Sequence, residues 1–149
     1  MSEKQKVLGN LAFASFALNG RVLELAESIA SHGGITATRW QVLGAVLEQP
    51  LTQTAIAHRM GISRQSVQRT ANQLVKDGLL QAIDNPLHRK ASLFEVTAKG
   101  LEAIDKIRPH HAMVAGKLLE SISEEKLEKI TELMNELSIE IGKITHGER

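Results

Sequence analysis

The sequence predicts a mainly α-helical fold with one small β-hairpin and long helices at both ends of the chain. Three observations predict it. Apolar residues recur at helical spacing through most of the 149 residues. Glycines and prolines break that period at a few points, next to Ser and Thr residues suited to N-capping. One stretch, 79–97, changes to alternation around a turn.

In the first segment Leu11, Leu18, Val22, Leu25 and Ile29 lie on one helical stripe. They predict an amphipathic helix from about residue 5 to about residue 31, ended by Gly33-Gly34 acting as a left-handed cap. The string VLGNLAFASFAL after Lys4 and Lys6 imitates a secretion signal. Glu3, Asn10 and the continuing apolar period assign it to the helix instead. Thr36 then caps a second helix, TATRWQVLGAVLEQ, which Pro50 terminates.

Residues 51–80 read LTQTAIAHRMGISRQSVQRTANQLVKDGLL. Thr52 caps a short helix that buries Ile56, Ala57 and Met60. Gly61 makes a tight turn, Ile62 returns to the core, and Ser63 caps a second short helix. This is a helix-turn-helix. On a wheel of the second helix, Val67, Ala71, Leu74 and Val75 share one side. Gln65, Arg69, Asn72 and Lys76 share the other, flanked by Ser66, Gln68 and Gln73. No acid occurs from Ser63 to Lys76. A merely solvated helix of this length usually mixes Glu with Lys to gain i,i+4 pairs. Gln, Asn and Arg are instead the side chains that form forked hydrogen bonds to adenine and guanine edges in the major groove.

The next stretch, LLQAIDNPLHRKASLFEVT, turns at Asp84-Asn85-Pro86 and alternates on its way out. It predicts a hairpin, a wing beside the helix-turn-helix, whose tip carries His88, Arg89 and Lys90. A basic tip of this kind suits a minor groove or phosphates, and its simpler role is solubility. Thr97 opens a further helix bearing Leu101, Ile104 and Ile107, with Pro109 expected to kink it. Ser123 opens the last helix, of about 28 residues. There Leu127, Ile130, Met134, Leu137, Ile141 and Ile144 step by three and four, a heptad seam. The seam can pack on the N-terminal helix of its own chain or on a second copy; a helix this long overhangs a small core and favours the second.

Composition narrows the function. Net charge is only +1, so affinity for a polyanion must come from a local patch. That patch exists: residues 52–91 carry six basic and two acidic side chains, between a neutral first segment and an acidic last one. The absence of cysteine excludes disulfides, Cys-ligated zinc, iron–sulfur clusters and thiol redox sensing. One Trp, three Phe and no Tyr argue against binding single strands or RNA on an aromatic platform. No apolar run is long enough to span a membrane. Neither a phosphate-binding glycine loop nor a metalloprotease motif nor a nucleophile elbow occurs. Ser63 near His58 lacks a third, orienting group, and N-capping accounts for Ser63. His110 and His111 are adjacent, so they diverge on a helix and do not chelate together easily, and no metal site is expected.

The order of elements, the string over residues 51–80, the wing and the following VTAKG resemble the MarR family of winged-helix transcriptional regulators. The resemblance spans essentially the whole chain and is most specific over 51–100. It implies an obligate homodimer in which the first and last helices interlock. Residues 1–34 and 98–149 would form the helical dimerisation region, with Leu11, Leu18, Ile130, Met134, Leu137 and Ile141 at the interface. Residues 35–97 would form the winged helix-turn-helix domain. The implied protein is a cytoplasmic, sequence-specific regulator of double-stranded DNA, a repressor on a palindromic operator, with no cofactor and no enzymatic activity. The residues expected at DNA are Thr52, Ser63, Arg64, Gln65, Ser66, Gln68, Arg69, Asn72, Gln73, Lys76, His88, Arg89 and Lys90. Family members often bind a small aromatic or anionic effector near the dimer arm. Phe16, His32, Arg39, Trp40 and His111 are the candidates here, with plain packing or solvation as the simpler reading of each.

One departure is visible. Family wings usually carry an acid two residues before an arginine, bracing the tip; the matching positions here are His88 and Lys90, with Arg89 between them. Arg89 is then expected to take the groove contact, and a protonated His88 would add positive charge in mild acid. The alternative is a winged-helix protein-interaction module without DNA binding, but the 63–76 face lacks the exposed Leu, Met or Tyr such a surface would want.

Overall fold

The computed structural model describes residues 1–147. Six helices and a three-stranded sheet follow one another: α1 (Glu3–Ala30), α2 (Ala37–Ala45), β1 (Leu51–Thr52), α3 (Gln53–Met60), α4 (Arg64–Lys76), β2 (Leu80–Ile83), β3 (Leu93–Val96), α5 (Ala98–Ser121) and α6 (Glu124–His146). Residues 1–110 form one compact unit and the chain from His111 onward a second. The mainly helical class with a small antiparallel sheet is the one the sequence predicts.

In the first unit, α1 starts two residues before the expected point. Ser2 and Gln5 close a capping box: Ser2 Oγ accepts from Gln5 N at 3.2 Å, and Gln5 Oε1 accepts from Ser2 N at 2.7 Å. The helix ends at Ala30 in a 3-10 turn over Ser31–Gly33, and Gly34 at φ 70° redirects the chain. Only Ile29 and Ala30 of α1 are buried. Glu27 Oε1 accepts from Ala37 N at 2.9 Å, so the end of α1 helps Thr36 cap α2.

The second helix is shorter than the sequence predicts. It stops at Ala45 rather than running to Gln49. Pro50 disfavours helical backbone at residue 49 and opposes the carbonyl of residue 46, so the last turn cannot form as α-helix. The chain must also be extended by Leu51, which pairs with Phe94. That pairing adds a strand to the predicted hairpin and gives the order β1-β3-β2, all antiparallel.

Gly61 at φ 66° lies in the left-handed region, where a side chain is strained, and it ends α3 as predicted. The buried stripe of α4 is Val67, Thr70, Ala71 and Leu74. Val75, expected on the buried side, is 40% exposed. It lies at the edge of the stripe, and Thr70 takes the place nearer its centre. Val42 and Leu43 of α2, Val46 at its C-cap, Ile56 of α3, Leu80 and Phe94 of the sheet and Ile104 of α5 complete one core with the α4 stripe. Met60 and Ile62 are half-buried against it. Gly100 lets the first turn of α5 approach the carbonyl of Leu79; a Cβ there would collide with that oxygen and lie 2.7 Å from Val96 Cγ2. Thr97 fixes the same junction, its Oγ1 donating to Gly78 O at 2.6 Å and accepting from Gly100 N at 3.1 Å.

In the second unit, Ser123 Oγ accepts from Lys126 N at 3.2 Å and opens α6, with Glu124 and Glu125 in its positive first turn. This helix has 23 residues, fewer than the 28 expected, and none of them is buried.

Candidate nucleic-acid interface

Two caps set the helix pair. Thr52 Oγ1 accepts from Ala55 N at 3.2 Å and starts α3. Ser63 Oγ accepts from Ser66 N at 3.1 Å and starts α4, its hydroxyl also donating to Ser66 Oγ at 3.1 Å. Gln53 Nε2 donates to Arg64 O at 2.8 Å and ties the first turn of α3 to the first turn of α4.

With Val67, Thr70, Ala71 and Leu74 turned into the core, α4 shows Arg64, Gln65, Arg69, Asn72, Gln73 and Lys76 to solvent; Ser66 and Gln68 are half-buried beside them. Gln68 Nε2 donates to Asn72 Oδ1 at 2.7 Å.

A groove of about 660 Å³ runs between the helix pair and the wing. Of the residues predicted at DNA, it brings together Thr52, Arg64, Gln68, Asn72 and Lys76. Ser63, Gln65, Ser66, Arg69 and Gln73 stand on α4 or its cap outside this groove. Seven lining residues were not expected at DNA; four of them are Gln53 and Thr54 in the first turn of α3, Val75 on α4 and Ser92 on the wing, and the others are the apolar Ala82, Ala91 and Phe94 of the hairpin. Only the polar first turn of α3 carried a usable signal.

The wing tip is built from turns. Asn85 Oδ1 accepts from Leu87 N at 3.0 Å, and Asn85 O accepts from His88 N at 3.2 Å. His88 O then accepts from Ala91 N at 3.4 Å, which makes Arg89 and Lys90 the two central residues of a turn. His88, Arg89 and Lys90 are all exposed.

The charges of this face are open to a partner. Among the described residues, Arg64, Arg69, Lys76, Arg89 and Lys90 form no ion pair. Asp77, the C-cap of α4, is paired with Arg39 of α2 at 2.8 Å. These cations therefore remain available to an anionic partner along α4 and at the tip.

The four effector candidates of the first unit do not line one recess. Arg39 lines a recess of about 270 Å³ with Gly33, Asp77, Lys99, Glu102 and Lys106; Phe16, His32 and Trp40 do not line it. Phe16 is 70% exposed on α1, and Trp40 packs half-buried against the core. The His32 ring stacks on His110 at 3.7 Å between centroids, with its Nδ1 3.1 Å from Ser28 O. His111 is an exposed residue of the second unit.

The MarR family model matches residues 33–91, the segment from the turn before α2 to the tip of the wing, ahead of β3. An uncharacterized protein of Mycobacterium tuberculosis is 36% identical over 107 residues, 72% of this chain and 75% of its own length. The chain belongs to the MarR family. It is also similar to the HTH-type transcriptional regulator MhqR of Bacillus subtilis, 26% identical over 71% of this chain and 74% of that protein. Solved structures of transcriptional regulators share its fold. The Mycobacterium tuberculosis regulator MosR, crystallised in complex with DNA, superposes with a TM-score of 0.72 at 18% identity, over 87% of this chain and 96% of that one. The MarR of Staphylococcus aureus, in complex with salicylate and kanamycin, gives 0.68 at 23% identity, over 98% and 97%. This MarR-family chain is therefore a winged-helix transcription regulator and not an enzyme. Among the described residues, no helix is long and apolar enough to cross a membrane.

Proposed function

We propose that this MarR-family regulator binds a palindromic operator as a homodimer and represses transcription, reading base edges with α4 and holding phosphates with the wing. The observation that carries the reading is the acid-free exposed face of α4 next to a wing tip whose two cations have no ion-pair partner among the described residues. Arg64, Gln65, Gln68, Arg69, Asn72 and Gln73 are assigned to the major groove. Thr52, Ser63, Ser66, Lys76, His88, Arg89 and Lys90 are assigned to flanking phosphates and the adjacent minor groove.

The dimer rests on apolar surface. Within the chain alone, Leu18 on α1 is 46% exposed, and Met134 and Ile141 on α6 are 52% and 44% exposed. Leu11 and Ile130 are also exposed and Leu137 is half-buried. Stripes of this extent are rarely left to water in a stable monomer. Residues 1–34 and 98–149 are accordingly assigned to dimerisation and 35–97 to DNA.

Modulation by a small aromatic or anionic effector belongs to the same proposal. It is supported by the salicylate in the Staphylococcus aureus structure and by one recess where Arg39, Lys99 and Lys106 outnumber Asp77 and Glu102, Arg39 being paired with Asp77. Phe16, His32, Trp40 and His111 are retained as lesser candidates.

Selecting genomic fragments bound by the purified protein tests this reading. A shared motif with two-fold symmetry is expected. Failure to enrich any duplex would overturn it.

A further inference from the structure

The contact between Gln68 and Asn72 deepens the proposed reading of duplex DNA and rests on it for its meaning. The two residues are one turn apart on α4 and both line the groove toward the wing. Gln68 Nε2 donates to Asn72 Oδ1 at 2.7 Å. A primary amide has one carbonyl oxygen and two N–H groups. The bond to Asn72 uses one Nε2 hydrogen of Gln68 and leaves its Oε1 and its second hydrogen available. Those are the acceptor and donor that match N6–H and N7 of adenine on the major-groove edge. Asn72 is committed differently: its Oδ1 already accepts from Gln68, so it is less suited to the same bidentate contact.

The geometry points to a division of labour in which Gln68 reads an adenine of the operator and Asn72 is a positioning residue that holds the Gln68 amide for it. A long glutamine side chain otherwise loses its freedom when it binds a base. Here a side-chain partner on the same helix restrains it before DNA arrives, which lowers that cost on binding. Gln53, donating to Arg64 O one turn earlier, fixes the start of the helix that carries both amides.

The test uses the full-length protein and the selected operator, with each adenine replaced in turn by 7-deazaadenine, which lacks the N7 acceptor. Affinity is read by fluorescence anisotropy. One adenine in each half-site should prove sensitive, with about a tenfold loss for the wild type. Gln68→Ala should bind the native and modified duplexes equally. Asn72→Ala should lower the discrimination to about threefold or less and add nothing when combined with Gln68→Ala. Asn72→Asp keeps an acceptor for Gln68, so it should weaken binding to all duplexes through its charge yet retain the discrimination ratio. Undiminished discrimination in Asn72→Ala, losses that add in the double variant, or loss of discrimination in Asn72→Asp would each overturn the pairing while leaving DNA binding intact. A wild type that binds no duplex would overturn the proposed function itself.

Discussion

Replacing both Arg89 and Lys90 with alanine isolates the electrostatic work of the wing. Both are the central residues of an exposed turn, and neither side chain has a hydrogen-bond or ion-pair partner among the described residues. Their removal should change folding stability by no more than about 0.5 kcal/mol, because nothing buried or bonded is lost. Binding should change much more. Each phosphate neutralised on B-form DNA contributes about 0.9 to the slope of log K against log salt. Two cations on each of two protomers therefore carry roughly 3.6 units of slope. Between about 50 and 200 mM salt, the wild type should lose roughly two decades more affinity than the double variant. Titrations at four salt concentrations, on selected and on random duplexes, measure this directly. The reduction should be the same on both, since phosphates carry no sequence. A slope unchanged from wild type would refute the assignment of the wing to the phosphate backbone.

Three other outcomes are expected. Arg69→Ala should cost about 1–3 kcal/mol on the selected operator and relax one base position; an equal loss on random duplexes would remove Arg69 from base reading. Ile130→Asp or Leu137→Asp should give a monomer or an unfolded chain in sedimentation and circular dichroism, and an operator-binding dimer would show that the α6 seam is not at the subunit boundary. Gly100→Ala should destabilise by about 1–3 kcal/mol, because the new Cβ meets the Leu79 carbonyl and Val96. Its thermal midpoint should fall by several degrees, and an unchanged midpoint would contradict the packing at that junction.

Most of the helix starts were legible because their signals are local. Thr36, Thr52, Ser63 and Ser123 all cap the helices assigned to them, and Gly61 takes the left-handed turn. Such choices depend on a few neighbouring residues, so the sequence displays them. What escaped it depends on distant partners. Two residues, Leu51 and Thr52, have no period to reveal a strand, and only their pairing with Leu93 and Phe94 makes one. The early end of α2 is tied to that same pairing. A helical wheel ranks Val75 and Thr70 by spacing and chemistry, whereas the width of the buried stripe is set by what packs against it. Arg39 is a candidate ligand contact by sequence because it is a charged residue near a junction. Its pairing with Asp77, 38 residues away, is not visible in the sequence.

In the proposed dimer, two copies of this chain present the acid-free faces of α4 at the pitch of B-form DNA. Hydroxyl-radical footprinting on the selected operator measures that spacing most directly. Two equivalent protected half-sites about one helical turn apart, related by the two-fold axis of the sequence, are expected. A single protected patch, or two unequal patches without that symmetry, would contradict this arrangement.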